Sequence, residues 1–177
     1  IERIHIATGV KNRNLAIPLK DYATLADFGA ANDHFIRVGL DLGASAIAGA
    51  LATANLEATD VDMIMSTSVT GIAAPSLEAR LIPRLGLRED VKRVPIFGLG
   101  CVAGAAGIAR LHDYLVGHPD DVAVLLSVEL CSLTVQRDDV SMPNIVASGL
   151  FGDGSAAVVM VGANRAARMG TTGPRVV

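Results

Sequence analysis

The sequence predicts an α/β fold with a mixed, largely parallel sheet and helices on both of its faces. Short apolar runs of strand length alternate along the chain with longer segments of helical periodicity, an order typical of parallel sheets. The composition agrees, because 51% of the 177 residues are hydrophobic, only 3% are aromatic and 18 are glycine. Such a mix is not typical of a β-sandwich or a disordered segment.

A chain of this length forms one domain or half of a larger one. It starts at Ile1 with the strand-like segment IERIHIATGV (residues 1–10). It ends in GPRVV (residues 173–177), whose apolar β-branched residues predict a further strand. We therefore interpret residues 1–177 as one domain of a longer protein, whose remaining part is not in this chain.

Three elements are predicted in the first half of the chain. Apolar side chains recur at helical spacing over residues 33–55, with Asn32 or Asp33 as the N-cap. Residues 61–69 (VDMIMSTSV) are a short apolar run of strand length. A proline and a serine then open a helix over residues 75–85, which a glycine ends.

The second half of the chain repeats the alternation. Residues 91–100 and 120–130 are strand-like, and the latter is the most continuous apolar strand of the sequence. Residues 101–115 predict a helix whose first half carries almost no polar side chain, a pattern that indicates burial on all sides. The turn Gly152–Gly154 leads into a last strand over residues 155–163.

Charge and composition exclude several function classes. The net charge is -3 and no run of Lys and Arg is present, so no nucleic-acid partner is expected. No apolar stretch is long enough and free enough of charge to predict a membrane span, and nothing at the start reads as a signal peptide. The two cysteines lack metal-type spacing and a secretory context. We expect a cytoplasmic protein without a metal site or disulfide.

Cys101 is the candidate nucleophile of the chain. The strand that ends at Gly100 delivers it to the start of the next helix, where unpaired N–H groups and the helix dipole favour a negative charge. A thiol in that position is expected to have a lowered pKa and to attack a thioester carbonyl as the thiolate. A free cysteine is also often a small buried packing residue, and position alone does not separate the two interpretations.

The same glycines allow an interpretation from another mechanistic class. GLGCVAG (residues 98–104) follows a strand and precedes a helix, as a dinucleotide-binding loop does, and Glu129 ends the next strand where a ribose-binding acid could lie. The spacing is GxGxxxG instead of GxGxxG, however, and Cys101 stands where a pyrophosphate would approach. This motif is weak, and dinucleotide binding stays an alternative.

Three segments resemble a known family. RVPIFGLGCVAGAAG (residues 93–107) is similar to the active-site cysteine signature of type III polyketide synthases, the chalcone-synthase-like enzymes. FGDGSAAVVMVG (residues 151–162) resembles the FGDG segment of the same superfamily, and residues 66–87 resemble the segment with the dimer-crossing loop. The resemblance is strongest to bacterial alkylpyrone or alkylresorcinol synthases. It implies the N-terminal half of a thiolase-like fold.

The resemblance also implies a reaction. A starter acyl group moves from coenzyme A to Cys101, and malonyl-CoA is decarboxylated so that its carbanion attacks the thioester. The acyl-CoA and malonyl-CoA are substrates, and no further cofactor is implied. The family's catalytic histidine and asparagine belong to the part that is absent, so the chain alone is expected to be inactive. His112 lies eleven positions after Cys101, about 16 Å along a helix, too far for a general base.

Further site residues follow from the resemblance position by position. Phe151 resembles the gatekeeping phenylalanine between the CoA tunnel and the cavity. Small side chains at the cavity wall predict a long aliphatic starter, because pocket volume decides which acyl chain is buried. Plain core packing is the alternative for these wall positions. The residues that match the wall are Thr70, Ala74, Cys131 and Thr134.

Two binding surfaces are implied as well. Lys11 and Arg13 fall near the basic residues that family members use on CoA phosphates, although a solvated surface role explains them equally. The loop near Ala74 and Pro75 is expected at a homodimer interface. Two other functions stay open at this point, a ketoacyl synthase III-like condensing enzyme and a non-catalytic dimerisation or acyl-binding half.

Overall fold

The computed structural model describes residues 2–171 and 173–177. These residues form one four-stranded sheet and six α-helices. In chain order the elements are α1 (Glu2–Ala7), α2 (Phe28–Ala54), β1 (Met63–Ser68), α3 (Leu77–Leu85), β2 (Lys92–Phe97), α4 (Ala103–Gly117), β3 (Val122–Leu130), α5 (Met142–Leu150), β4 (Asp153–Val161) and α6 (Ala163–Met169). Short 3-10 turns lie at Leu19–Thr24, Ala58–Asp60, Gly100–Val102 and Cys131–Thr134.

The sheet has the strand order β2-β1-β3-β4. The central strand β1 pairs in parallel with β2 and with β3, so that Met63 lies opposite Lys92 on one side and Ala123 on the other. The edge strand β4 runs antiparallel to β3. The predicted mixed, largely parallel sheet is confirmed. All four strands predicted between the two ends of the sequence are present, and so are the helices predicted over residues 33–55, 75–85 and 101–115.

Two hydrophobic cores cover the two faces of the sheet. Side chains alternate between the faces of a strand, so Ile64 of β1 joins the core under α2 and α3, while Met65 joins the core under α4. Leu126 and Leu125 of β3 divide in the same way. Each fully buried side chain of this size stabilises the fold by about 1.5–3 kcal/mol. The prediction of helices on both faces is confirmed.

The N-cap of helix α2 lies five or six residues before the predicted one. Asp27 is the N-cap, and its carboxylate accepts a hydrogen bond of 2.9 Å from the Ala30 amide. The capping carboxylate satisfies one of the free N–H groups of the first turn, which explains why the helix starts there and not at Asn32 or Asp33. One stripe of the helix at a spacing of four residues is buried, namely Phe35, Gly39, Gly43, Ile47 and Leu51.

One helix among the described residues, α2, meets the length and hydropathy criteria for a membrane-spanning segment. The sequence analysis expected no such segment, and in that respect it was wrong. Core helices of folded domains often meet the same criteria. Because α2 packs with its buried stripe against β3, β4 and α3, we assign it to the core of the domain.

The predictions for the two ends of the chain were wrong. The first segment forms helix α1 instead of a strand, and it packs against α5. The His5 Nε2 atom lies 3.3 Å from the Ile145 carbonyl and 3.2 Å from Ser148 Oγ, contacts that periodicity alone does not reveal. Residues 173–177 contain no strand.

Helix α4 is buried along one stripe instead of on all sides. Its buried residues are spaced by four and face the sheet, whereas Val102 at its start is 58% exposed. The apolar first half of α4 therefore leaves a hydrophobic surface on the described domain. The buried residues of α4 are Ala103, Gly107, Leu111 and Leu115.

Candidate active site

Three loops meet at one edge of the sheet. The parallel strands β1, β2 and β3 have their carboxyl ends at the same edge, where ligands bind in open α/β sheets. Thr70 follows β1, Cys101 follows β2 and Cys131 follows β3. The sequence placed all three residues in the candidate site, and the topology brings their loops together.

The loop between β2 and α4 presents the Cys101 thiol to the surface. Gly98 and Gly100 have φ angles of 92° and 59°, in the left-handed region that favours glycine, and this turns the chain sharply after β2. Cys101 then lies in the 3-10 turn that precedes α4, and its side chain is exposed. Apolar neighbours along the chain, Phe97 and Val102, are also exposed. The interpretation of Cys101 as a buried packing residue is therefore wrong for this chain.

A glycine sets the distance between α4 and the sheet. A Cβ atom added at Gly107 would lie 2.6 Å from Cδ1 and 2.8 Å from Cδ2 of Leu125. Leu125 is buried, so its side chain has little space in which to turn away. Gly107 thus lets α4 approach β3 closely, and this fixes the start of the helix, with Cys101, over the carboxyl edge of the sheet.

Cys131 begins the 3-10 turn after β3, at the same edge of the sheet as the loop of Cys101. Burial raises the pKa of the Cys131 thiol, and the carboxylates of Glu129 and Asp153 and the charge of Cys101 raise it further. Cys131 is therefore held as a neutral thiol, suited to line a cavity and not to attack a thioester. The Thr134 hydroxyl donates a hydrogen bond of 2.9 Å to the Cys131 carbonyl, which closes the turn that carries both residues.

Glu129 joins the ends of β1 and β3. Its carboxylate accepts hydrogen bonds from the Val69 amide, at 3.1 and 3.2 Å, and from the Thr70 hydroxyl, at 2.6 Å. The Leu130 amide in turn donates to the Thr70 hydroxyl oxygen at 2.9 Å. The sequence analysis considered Glu129 only as a ribose-binding acid. Its carboxylate is instead engaged by the neighbouring loop of the same chain.

The loop that carries Ala74 is fixed at several points. The Asn32 side chain makes two hydrogen bonds of 2.8 Å, one to the Ile72 carbonyl and one from the Ile72 amide. A Cβ atom at Gly71 would lie only 2.1 Å from the Phe35 ring, so the backbone rests directly on this buried ring. The loop is thereby held against α2, and Ala74 lies beside Pro75, with a cis peptide bond between them.

A fully buried carboxylate holds the end of this loop. Glu78 in the first turn of α3 accepts a hydrogen bond of 2.5 Å from the Ser66 hydroxyl and another from the Ser76 hydroxyl. No cation lies within ion-pair distance of Glu78 among the salt bridges of the described residues. A buried carboxylate is costly unless it is hydrogen-bonded, so these two hydroxyl groups are strongly held. The sequence analysis missed Glu78, since it reads as an ordinary helix residue.

Phe151 lies directly after α5 and is 43% exposed. Two residues later Asp153 is buried, and its carboxylate accepts hydrogen bonds from the Ser132 amide, at 2.7 Å, and from the Ser132 hydroxyl, at 2.5 Å. These contacts connect the Phe151 segment to the turn that carries Cys131. The resemblance identified the FGDG motif, but the partner of its Asp appears only in the tertiary structure.

The two predicted CoA-binding residues are in different environments. Lys11 is exposed. The Arg13 guanidinium donates a hydrogen bond to the Gly149 carbonyl at the end of α5, and the Arg13 Cβ and Cγ atoms lie beside Gly152. Arg13 therefore contacts the segment around Phe151. A role of either residue in CoA binding stays a prediction.

Three of the four histidines contact other residues of the domain. Nδ1 of His34 lies 2.9 Å from the Arg37 guanidinium, and the ring of His118 stacks on the ring of Tyr114 with 4.2 Å between centroids. His5 belongs to the contact between α1 and α5. His112 lies on α4, eleven residues after Cys101.

The site therefore consists of an exposed thiol before a helix start, at the carboxyl edge of a mixed sheet, in an α/β domain. A family profile described as FAE1/Type III polyketide synthase-like protein matches residues 41–172, and the chain belongs to this family. It is 60% identical over 176 residues to 1,3,6,8-tetrahydroxynaphthalene synthase of Streptomyces peucetius subsp. caesius, covering 99% of the chain and 46% of that relative. It is 33% identical over 159 residues to phloroglucinol synthase of Pseudomonas fluorescens, covering 90% and 46%.

A solved structure confirms the fold. The crystal structure of 1,3,6,8-tetrahydroxynaphthalene synthase from Streptomyces coelicolor, a bacterial type III polyketide synthase, superposes with a TM-score of 0.86 at 37% identity, covering 90% of this chain and 46% of that one. The thiolase-like fold expected from the resemblance is therefore confirmed. The chain spans about half the length of the relatives that it matches.

Proposed function

We propose that the parent protein of this chain is a type III polyketide synthase in which Cys101 accepts the acyl group. The observation that carries the proposal is the exposed Cys101 thiol, presented before the start of α4 beside the loops of Thr70 and Cys131. The family assignment supports the same chemistry. The chain supplies the nucleophile and part of the cavity wall, and the catalytic histidine and asparagine come from the remaining half.

The acyl transfer proceeds by exchange of thioesters. The Cys101 thiolate attacks the carbonyl carbon of an acyl-CoA, a new carbon–sulfur bond forms, and the CoA thiolate leaves. Malonyl-CoA then loses carbon dioxide, and the electron pair left on its α-carbon attacks the Cys101 thioester. The Cys101 thiolate is released and the extended chain remains on CoA. Amide N–H groups at the start of α4 are suited to stabilise the oxyanion, which forms on the acyl carbonyl oxygen when Cys101 attacks.

Two substrate classes remain in competition for the starter position. The most similar relative reported above is named as a tetrahydroxynaphthalene synthase, which supports a small starter and a polyhydroxylated aromatic product. Ala74 and Cys131 are small side chains at the proposed wall, which supports the long aliphatic starter and the alkylpyrone or alkylresorcinol product expected from the sequence. The identity of 60% leads us to favour the aromatic product.

The assembly and the location of the protein belong to the same proposal. A homodimer with the loop of Ala74 and Pro75 at its interface fits the rigid anchoring of this loop by Asn32 and Phe35. Acyl-CoA and malonyl-CoA are the proposed substrates, and Lys11 is an accessible candidate for a CoA phosphate. The cytoplasmic location expected from the sequence stays a prediction.

Mass spectrometry of the parent protein tests the nucleophile. The protein is incubated with malonyl-CoA alone, with malonyl-CoA and a short acyl-CoA, and with malonyl-CoA and a long-chain acyl-CoA. We expect an acyl adduct on the peptide that contains Cys101, and loss of both adduct and products in Cys101→Ser. Cys131→Ser is the matched control, because it removes the other cysteine and leaves the nucleophile in place.

The products decide between the substrate classes. Hydroxylated naphthalenes from the incubations without a long-chain starter support the aromatic reading, whereas alkylpyrones from the long-chain incubation support the aliphatic one. Turnover that persists in Cys101→Ser would overturn the assignment of the nucleophile. A single condensation on an acyl carrier protein would replace the proposal with a ketoacyl synthase III-like reaction.

A further inference from the structure

A chain of hydrogen bonds connects the N-terminal segment to the proposed cavity wall. The Tyr22 hydroxyl lies 2.5 Å from the Ser132 hydroxyl oxygen, and the Ser132 hydroxyl donates to Asp153 at 2.5 Å. Since Ser132 uses its proton on Asp153, Tyr22 is the donor in its contact with Ser132. Tyr22 and Ser132 are 110 residues apart in sequence, and no motif links them.

These hydrogen bonds restrict the conformation of the turn Cys131–Thr134. Asp153 accepts from both the amide and the hydroxyl of Ser132, which fixes the backbone directly after Cys131. Leu133 is buried in the main core and anchors the other side of the turn. Ser132 and Leu133 thus hold the backbone that carries Cys131 and Thr134 on either side of them.

The burial of the Asp153 carboxylate makes its hydrogen bonds with Ser132 necessary. Its side chain is buried, and no cation lies within ion-pair distance among the described salt bridges. A buried carboxylate without a counter-ion depends on its hydrogen bonds, which here come from a single residue, Ser132. The Asp153 amide also donates to the Asn14 carbonyl at 3.4 Å, so the segment before Tyr22 is attached at a second point.

We propose that Tyr22, Ser132 and Asp153 are positioning residues that hold the turn Cys131–Thr134 and thereby determine how far the growing acyl chain extends. The inference rests on the proposed polyketide synthase function, since Cys131 and Thr134 line the cavity only in that reading. None of the three residues acts on the substrate. They act through the side chains that follow or precede them on the wall.

Conservative variants of the parent protein test this role. Tyr22→Phe removes the link between Tyr22 and Ser132, and Ser132→Ala removes this link and the one to Asp153, each without a change of charge. Tyr22→Phe/Ser132→Ala combines the two changes. Tyr114→Phe is the matched control, because Tyr114 is the other tyrosine and hydrogen-bonds to Asp121 and Lys92 at the opposite edge of the sheet. The readouts are the ratio of shorter to longer polyketides and the rate of alkylation of Cys131 in a Cys101→Ser background.

Tyr22→Phe is expected to shift the product ratio by about two- to tenfold, the factor that corresponds to one hydrogen bond, and Ser132→Ala by at least as much. The double variant is expected to add little, because both changes break the same chain. Alkylation of Cys131 is expected to become faster in the same variants by a similar factor, while Tyr114→Phe leaves both readouts unchanged.

The two readouts separate the two proposals. Product ratios and alkylation rates that stay at the values of the unaltered protein in Tyr22→Phe and Ser132→Ala, or that change as much in Tyr114→Phe, would overturn the positioning role. If the unaltered parent makes no polyketide, the proposed function fails. The alkylation of Cys131 still decides whether the hydrogen-bond chain holds the turn, because that measurement needs no turnover.

Discussion

The contact between Gly71 and Phe35 gives the sharpest test of the site architecture. In Gly71→Ala the added Cβ atom would lie 2.1 Å from Cγ and Cδ1 of the Phe35 ring. Carbon atoms in contact are normally about 3.5–4.0 Å apart, so the ring or the loop must move by about 1.5 Å. Phe35 is only 1% exposed and its ring is rigid, so the loop is expected to yield.

We expect Gly71→Ala to destabilise the protein by about 3 kcal/mol, the upper end of the usual cost of overpacking. Gly117→Ala is the control, because a Cβ atom at this helical position meets nothing within 4 Å, and alanine favours a helix over glycine by up to about 1 kcal/mol. Thermal unfolding of the parent protein measures both variants. The formation of the acyl adduct on Cys101 shows whether the displaced loop also impairs the site.

A second substitution, at Phe35, tests whether the clash with the ring causes the loss of stability. In Gly71→Ala/Phe35→Ala the smaller side chain removes the clash, so the cost of the pair is expected to be less than the sum of the single costs. A melting temperature of Gly71→Ala equal to that of Gly117→Ala would show that the loop does not rest on the Phe35 ring. Strict additivity of the pair would lead to the same conclusion.

Two further predictions concern Asn32, which holds this loop, and the thiol of Cys131. Asn32→Ala removes two hydrogen bonds to Ile72 and is expected to cost about 1–3 kcal/mol in thermal unfolding, more than Asn164→Ala, which removes one hydrogen bond. The raised pKa of the Cys131 thiol predicts that its alkylation requires a higher pH than that of an ordinary thiol, and Glu129→Gln is expected to shift this pH profile downward because a negative charge is removed. An unchanged profile would contradict the second prediction.

The same pKa shift affects stability. The folded protein keeps the Cys131 thiol protonated to a higher pH than the unfolded chain does, so ionisation favours unfolding once the pH exceeds the ordinary thiol pKa. The stability contributed by the neutral thiol is present below that pH and is lost as the pH rises through the raised pKa. Cys131→Ser is expected to remove this part of the pH dependence.

Periodicity predicted the interior elements well because each is decided by a local pattern. The central strands β1 and β3 are short apolar runs that are buried because the sheet is covered on both faces, whereas the edge strands β2 and β4 are partly exposed. The ends of the chain were predicted less well. Residues 1–10 were predicted as a strand but contain helix α1, and contacts of His5 with α5 accompany this helix in the structure.

The sequence by itself determined the α/β class, the strand-to-helix delivery of Cys101 and the family motifs around it, because these depend on neighbours along the chain. Only the tertiary structure decided the partners of the buried carboxylates. Glu129 meets Thr70 across 59 positions and Asp153 meets Ser132 across 21. Such hydrogen bonds form when the sheet brings distant segments to one edge, and no periodicity in the sequence records which donor will face which acceptor.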